Sequence, residues 1–286
     1  MHELTQNPSP FRWHGWLGVA VMAAGATLLF LGVTFVATYF TPLVWSGYIL
    51  FIDAVLHRVK GNSLLVNRRR EFFVLLLLSV LFWLVFEFYN LFLHNWRYVG
   101  LPEQLPWRLF GYLWAFATIW PAILETAEAL ECWKGISGRA IRPWKITRLR
   151  LALSVCFGAF CLAVPFLASP GAAHYLAAPV WLGFIFLLDP LNYRMGRGSL
   201  LIDLEKGDPR RLYALLLSGV VCGVLWEFWN YWAGAKWHYT VPILGDVKVF
   251  EMPVLGYFGF PPFAVECYTM YSFARNIYRG GKQSDG

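Results

Sequence analysis

Apolar residues run in stretches of about twenty along most of the chain, separated by short loops in which arginine and lysine collect. A helix needs roughly 20 apolar residues to cross the ~30 Å hydrocarbon core of a bilayer. Six segments meet that length, at 16–39, 71–93, 108–131, 149–169, 211–233 and 253–273. Two shorter segments, 42–57 and 176–193, each carry an aspartate in the second half, Asp53 and Asp189. An internal repeat includes both, so both count as helices. The pattern predicts an all-α polytopic membrane protein with eight transmembrane helices. The first segment exceeds the 7–15 apolar residues of a signal-peptide core, and it is expected to be retained as a helix.

The basic residues support that count, because Lys and Arg accumulate in cytoplasmic loops. Of 24 basic residues, 20 fall before the first segment, after the second, fourth and sixth, and after the eighth; Arg97, Arg108, Lys236 and Lys248 remain for the other side. The expectation is a multi-pass protein of the cell inner (plasma) membrane with both termini cytoplasmic. Its tails are 1–15 and 276–286, flanking a first repeat at 16–139 and a second at 140–275.

Composition narrows the classes. With 58% hydrophobic and 14% charged residues and a mean hydropathy of +0.50, the chain is far from the roughly 25% charge of a soluble domain. The 19% aromatic content excludes disorder. A net charge of +7 does not indicate nucleic acid, since the basic residues lie in loops and not on one face; the implied partner is membrane lipid. The five cysteines, Cys132, Cys156, Cys161, Cys222 and Cys267, include no Cys-x-x-Cys and read as thiols of the core, not a disulfide framework.

The repeat is direct. Trp45-Ser46-Gly47-Tyr48-Ile49, Asp53, Arg58 and Ser63-Leu64-Leu65 match Trp181-Leu182-Gly183-Phe184-Ile185, Asp189, Arg194 and Ser199-Leu200-Leu201 at an offset of 136. Phe86-Glu87-Phe88-Tyr89-Asn90 matches Trp226-Glu227-Phe228-Trp229-Asn230, and Trp96-Arg97-Tyr98 matches Trp237-His238-Tyr239. Pro121 with Glu125 matches Pro262 with Glu266, at offsets that have drifted to 141. Four helices per half is an even number, so the halves are expected to be parallel, related by an axis along the membrane normal.

Ionisable groups inside hydrocarbon are costly and by default mark function. Glu87 and Asn90 share a helix face, as do Glu227 and Asn230; both pairs fall in the outer half of the bilayer, just before the Trp-x-Tyr loops. Glu125 and Glu266 each follow a proline by four residues, which predicts kinked helices, more strongly at Pro261-Pro262. One reading is a set of carboxylic acids in an aromatic cavity, able to act as general acids. The other is interhelical glue, which duplication would copy equally well. Asp53 and Asp189 are expected to form interfacial salt bridges with Arg58 and Arg194, and Glu128 and Glu131 to face cytoplasmic headgroups. The six histidines lack di-iron spacings, no lysine falls inside a span, and P-loop, Gly-x-Ser-x-Gly and Gly-x-Gly-x-x-Gly motifs are absent; neither a cofactor nor a metal is implied.

These residues resemble a known family. Three helices per repeat over 42–131 and 178–273, with Trp226-Glu227, Trp237-His238-Tyr239 and Met252-Pro253 in the second half and Phe86-Glu87 and Trp96-Arg97-Tyr98 in the first, resemble the lycopene cyclase domain of small integral-membrane cyclases. The resemblance implies a duplicated or heterodimeric fold and a redox-neutral reaction in which a carboxylic acid protonates a polyene end group. The family's Glu-Glu pair after the proline is replaced here by Leu255-Gly256, so a divergent relative acting on another polyprenoid is the expectation. In that reading Glu227 and Glu266, with Glu87 and Glu125 as counterparts, supply the general acid and charge stabilisation. Asn230 orients one of them; Asn90, Asn230, Trp96, Trp229, Trp237, Tyr239 and Tyr257 bind the substrate, the rings of Trp229, Trp237 and Tyr257 steadying a cation. A proton-linked transporter and a non-catalytic membrane subunit are the alternatives.

Overall fold

In a computed structural model, residues 10–242 and 245–284 are described; residues 1–9 of the predicted N-terminal tail and residues 285–286 lie outside them. The elements are α1 Trp13–Phe30, α2 Thr34–Thr38, α3 Phe40–Lys60, α4 Arg69–Leu93, β1 Trp96–Val99, α5 Leu105–Glu131 and α6 Lys134–Ser137. They continue as α7 Arg148–Leu167, α8 Pro170–Ala173, α9 Ala177–Arg194, α10 Leu200–Glu205, α11 Arg210–Trp232, β2 Lys236–Tyr239, β3 Lys248–Val249, β4 Met252–Pro253 and α12 Phe260–Ser284. The fold is helical, as expected. Among the described residues five helices, α1, α3, α4, α7 and α11, are long and apolar enough to cross a membrane.

The burial pattern shows why such helices need hydrocarbon around them. Phe73, Leu77, Leu81, Leu84, Phe88 and Leu91 of α4 are exposed at the three- and four-residue spacing of a single helix face. Leu149, Leu153, Phe157 and Phe160 do the same on α7. An apolar stripe the full length of a 25-residue helix is a lipid-facing surface, not a soluble one.

The bounds differ from the sequence reading in four places. The first segment is not continuous: Gly32, at φ 77°, lets the chain turn between α1 and α2. The short segment 42–57 is the core of a 21-residue helix, α3. The prolines predicted to kink the last helix instead start it, since Pro261 and Pro262 occupy the first turn of α12, where a missing N–H removes no helical hydrogen bond. α5, in contrast, runs unbroken through Pro121. α12 also extends to Ser284, through most of the expected C-terminal tail.

Sequence-related positions make corresponding contacts. α1 packs on α3 where a Cβ on Gly18 would stand 2.3 Å from the Gly47 carbonyl oxygen, and α7 packs on α9 where one on Gly158 would stand 2.7 Å from that of Gly183. The two aspartates also correspond. Asp53 accepts from Ser63 Oγ at 2.9 Å and Leu65 N at 2.7 Å, and lies 3.0 Å from His14 Nε2. Asp189 accepts from Ser199 Oγ, Leu200 N and Leu201 N at 2.9–3.1 Å. This corrects the expected pairing with Arg58 and Arg194: both aspartates are buried because each satisfies the backbone of the loop leaving its helix. Glu128 and Glu131 likewise do not simply face headgroups. Glu128 pairs with Lys60 and Arg68, and Glu131 with Arg211. Of the cysteines, all free, Cys161, Cys222 and Cys267 are buried as predicted, while Cys132 and Cys156 are exposed.

Candidate functional site

The site is built from the ends of α4 and α11. After Leu93 the chain turns through His94, which adopts the left-handed conformation at φ 51°, into β1. Asn90 holds that turn: its Oδ1 accepts from Asn95 N and Trp96 N at 2.8 and 3.3 Å, and its Nδ2 donates to the Trp96 carbonyl at 2.9 Å. Asn230 repeats the clamp, accepting from Trp237 N at 3.0 Å and donating to the Trp237 carbonyl at 2.9 Å. The asparagines therefore position the strands; neither orients a carboxylate, as had been expected of Asn230.

The clamped strands pair as an antiparallel ribbon in which Trp96 faces Tyr239, Arg97 faces His238 and Tyr98 faces Trp237. Each aromatic residue thus faces the sequence counterpart of the other, the isologous pattern produced by a local twofold between Arg97 and His238. Beneath the ribbon, Glu87 Oε1 accepts from Tyr98 Oη at 2.5 Å, Trp83 Nε1 at 2.8 Å and Trp96 Nε1 at 3.2 Å. In the other half Glu227 Oε1 accepts from Tyr239 Oη at 2.8 Å, and that hydroxyl accepts from Trp237 Nε1 at 2.8 Å. Glu227 is fully buried, and its Oε2 has no hydrogen-bond partner. Removal from water, reinforced by the neighbouring glutamate, holds the phenols of Tyr98 and Tyr239 well above their ordinary range, so both remain protonated donors at neutral pH.

Between the ribbon and the helices lies a cavity of about 580 Å³. Its walls are aromatic: Trp45, Trp83, Trp181, Trp226, Phe116 and Phe263 line it together with Trp96, Tyr98, Trp237 and Tyr239 of the ribbon. These rings pack edge-on and stacked, as in Trp45 against Trp226 at 5.6 Å and Tyr112, also in the lining, against Phe116 at 5.5 Å and 15°. Among the described residues no carboxylate lines the cavity. The expected acids in an aromatic pocket are instead one layer back, with tyrosine hydroxyls and indole N–H groups between them and the space.

The other predicted residues divide. Trp96, Trp237 and Tyr239 reach the cavity. Trp229 packs edge-on against Trp45 at 4.8 Å, and Tyr257 donates to the Val249 carbonyl at 3.0 Å; with Asn90 and Asn230 they are absent from the lining. Glu125 and Glu266 are fully buried and their carboxyl oxygens accept no hydrogen bond. Neither reaches the aromatic cavity. Glu125 opens on a separate one of about 210 Å³ among Lys60, Arg68, Glu71, Glu128 and Arg211, at the far end of the bundle from the ribbon. Trp45, Trp181 and Trp226 were inside the repeat, yet their convergence had no sequence signal, because they come from three different helices. Among the described residues no three His, Cys, Asp or Glu side chains gather as a metal site. No protein-family model matches the chain, and no curated protein or solved structure matches it.

Proposed function

We propose that the chain is an integral inner-membrane protein that holds one end of a polyprenoid, carotenoid-like molecule in the aromatic cavity and protonates it in a redox-neutral cyclisation or isomerisation. The carrying observation is the pair of glutamate-backed tyrosines, Tyr98 on Glu87 and Tyr239 on Glu227, opening on a mostly aromatic cavity. In this reading eight helices cross the bilayer as two parallel halves, 16–139 and 140–275, with both termini cytoplasmic. The ribbon register, the paired glycine crossings and the matched aspartate loops all support the halves' equivalence. The ribbon then caps the outer end, and the arginine-rich loops lie at the cytoplasmic end. The likeness to lycopene cyclases belongs to this reading.

At about 580 Å³ the cavity falls within the roughly 300–1,000 Å³ of small-molecule sites, room for one molecule of modest size or, for a long chain, its end group and part of the chain, the remainder lying in lipid. In this reading Glu227 enters protonated: the Tyr239–Glu227 hydrogen bond reverses as Tyr239 turns its O–H to a double-bond carbon, and Tyr239 takes the Glu227 proton as it gives up its own; the tertiary cation is stabilised by the faces of Trp45, Trp181 and Trp226. Attack by a neighbouring double bond closes the ring, and loss of a proton back to the Tyr–Glu pair restores the site without an oxidant. Glu125 and Glu266 take no part, being away from the cavity.

The test is organic extraction and mass spectrometry of the detergent-purified protein, followed by turnover of what is found. A stoichiometric polyprenoid, with product formation lost in Glu227→Gln and Tyr239→Phe but kept in Glu266→Gln, is the expected result. Phospholipid alone in every preparation would overturn the reading in favour of a transporter or a structural subunit.

A further inference from the structure

The charges around the aromatic cavity do not balance. Among the described residues its lining holds two side chains of fixed positive charge, Arg108 and Lys236, and no carboxylate. Lys236 is neutralised from behind: its Nζ stands 2.8 Å from Glu251 Oε1, and His238 Nδ1 meets the other oxygen of that carboxyl at 2.8 Å. Arg108 has no such partner. Its Nε donates to the Pro102 carbonyl at 3.0 Å and its Nη2 to the Glu103 carbonyl at 3.1 Å, two neutral acceptors that fix the guanidinium without cancelling its charge. Glu103 offers it only that backbone oxygen, and among the described residues Arg108 forms no ion pair.

The backbone adds to the same field. Arg108 lies in the first turn of α5, a 27-residue helix whose N-cap Gln104 makes no side-chain cap and whose first turn carries no acidic residue, so the positive end of the helix stands beside the guanidinium unanswered. Pro102 and Arg108, on either side of that end, both line the cavity. Arg108 is half-buried and the walls beyond it are aromatic, so an ion pair formed there is screened less than in water. One turn along α5, Tyr112 packs its ring on that of Tyr98 at 5.2 Å, which links the unpaired charge to the Tyr98–Glu87 pair. Resting on the polyprenoid reading above, we infer that the cavity takes a polyprenoid whose held end is an anion, a phosphate or a carboxylate, paired with Arg108, while its chain runs on along the aromatic walls. A hydrocarbon or an alcohol leaves the charge unpaired. The double bonds nearest the anion are then the ones that meet Tyr98.

The test is direct binding of tritiated geranylgeranyl phosphate, geranylgeranoic acid and geranylgeraniol to the detergent-purified full chain. Hydrogen bonds to a charged group are worth about tenfold or more in Kd, so wild type should prefer an anion over the alcohol by that factor; the tighter of the two anions tells a phosphate end from a carboxylate. In Arg108→Gln the preference should fall to within about threefold, with alcohol binding retained as the check on folding, and Arg108→Lys should keep part of it. Independently of any variant, raising salt from about 0.05 to about 1 M should shrink the preference in wild type, and phosphatidylglycerol at equal concentration should displace neither anion. Alcohol binding as tight as both anions in wild type, or a preference that survives Arg108→Gln or high salt undiminished, overturns this inference and leaves the polyprenoid reading standing. Displacement by phosphatidylglycerol overturns it too. Saturable binding of none of the three C20 compounds overturns the polyprenoid reading, and this inference with it.

Discussion

Tyr239 donates its hydroxyl to Oε1 of Glu227 across 2.8 Å, while Oε2 of the same buried carboxyl has no partner. The two residues are twelve apart in sequence and meet only because Asn230 folds the strand bearing Tyr239 back over the end of α11. Tyr98 and Glu87 repeat the relationship at 2.5 Å with Asn90 as the clamp.

The clamps predict a stability effect separable from chemistry. Asn230→Ala removes two hydrogen bonds and leaves the Trp237 backbone groups unsatisfied, which should cost about 1–3 kcal/mol. Asn90→Ala should behave alike. Thermal unfolding in detergent checks this; an unchanged Tm in both would refute the clamp.

The buried aspartates predict an asymmetry with their neighbouring arginines. Asp189→Ala strips the acceptor from Ser199 Oγ and two backbone N–H groups and should destabilise by at least about 2 kcal/mol. Arg58→Ala and Arg194→Ala, at exposed positions, should stay within about 0.5 kcal/mol. Large losses in the arginine variants would restore the interfacial salt bridge.

The glycine crossings predict steric failure. Gly158→Leu would place a Cβ 2.4 Å from Leu187 N, and Gly18→Leu one 2.3 Å from the Gly47 oxygen. Backbone cannot yield there as a side-chain tip can, so each should lose about 3 kcal/mol or its folded yield. Gly171→Leu, with nothing within 4 Å, is the control and should fold normally by size-exclusion chromatography.

The ribbon tyrosines predict a pH profile. Burial and the adjacent glutamates hold the phenols of Tyr98 and Tyr239 well above the ordinary tyrosine range. A folded-state pKa raised above the unfolded one contributes stability fully present below about pH 10 and lost only as pH rises beyond it. Absorbance at the tyrosinate band near pH 11 should therefore be the same in wild type and in the folded Tyr98→Phe and Tyr239→Phe proteins. A reduced amplitude in either variant would show that its tyrosine ionises in the native state.

Much of this was legible in the chain. Apolar runs and the Glu-x-x-Asn spacing are local properties, and five of the helices they predicted, α1, α3, α4, α7 and α11, are long and apolar enough to cross a membrane among the described residues. The proline expectation failed at Pro261-Pro262 because proline is tolerated in a first turn, and where a helix begins depends on the preceding loop, here the 3₁₀ turn Val254–Gly259. Asp53 and Asp189 misled because an arginine five residues away is close in sequence, whereas the serine hydroxyl and backbone N–H groups they bind lie ten to twelve residues on.

By itself the sequence determined that this is a helical chain with apolar helices long enough to cross a membrane, since a 20-residue apolar run carries that information without any fold. Only tertiary structure decided what each polar group does. Glu87 and Glu227 stand behind tyrosines, while Glu125 and Glu266 lie away from the aromatic cavity. The reason is physical: a buried polar side chain is defined by the partner that satisfies it, and here those partners arrive from other helices and from the ribbon, not from neighbours along the chain.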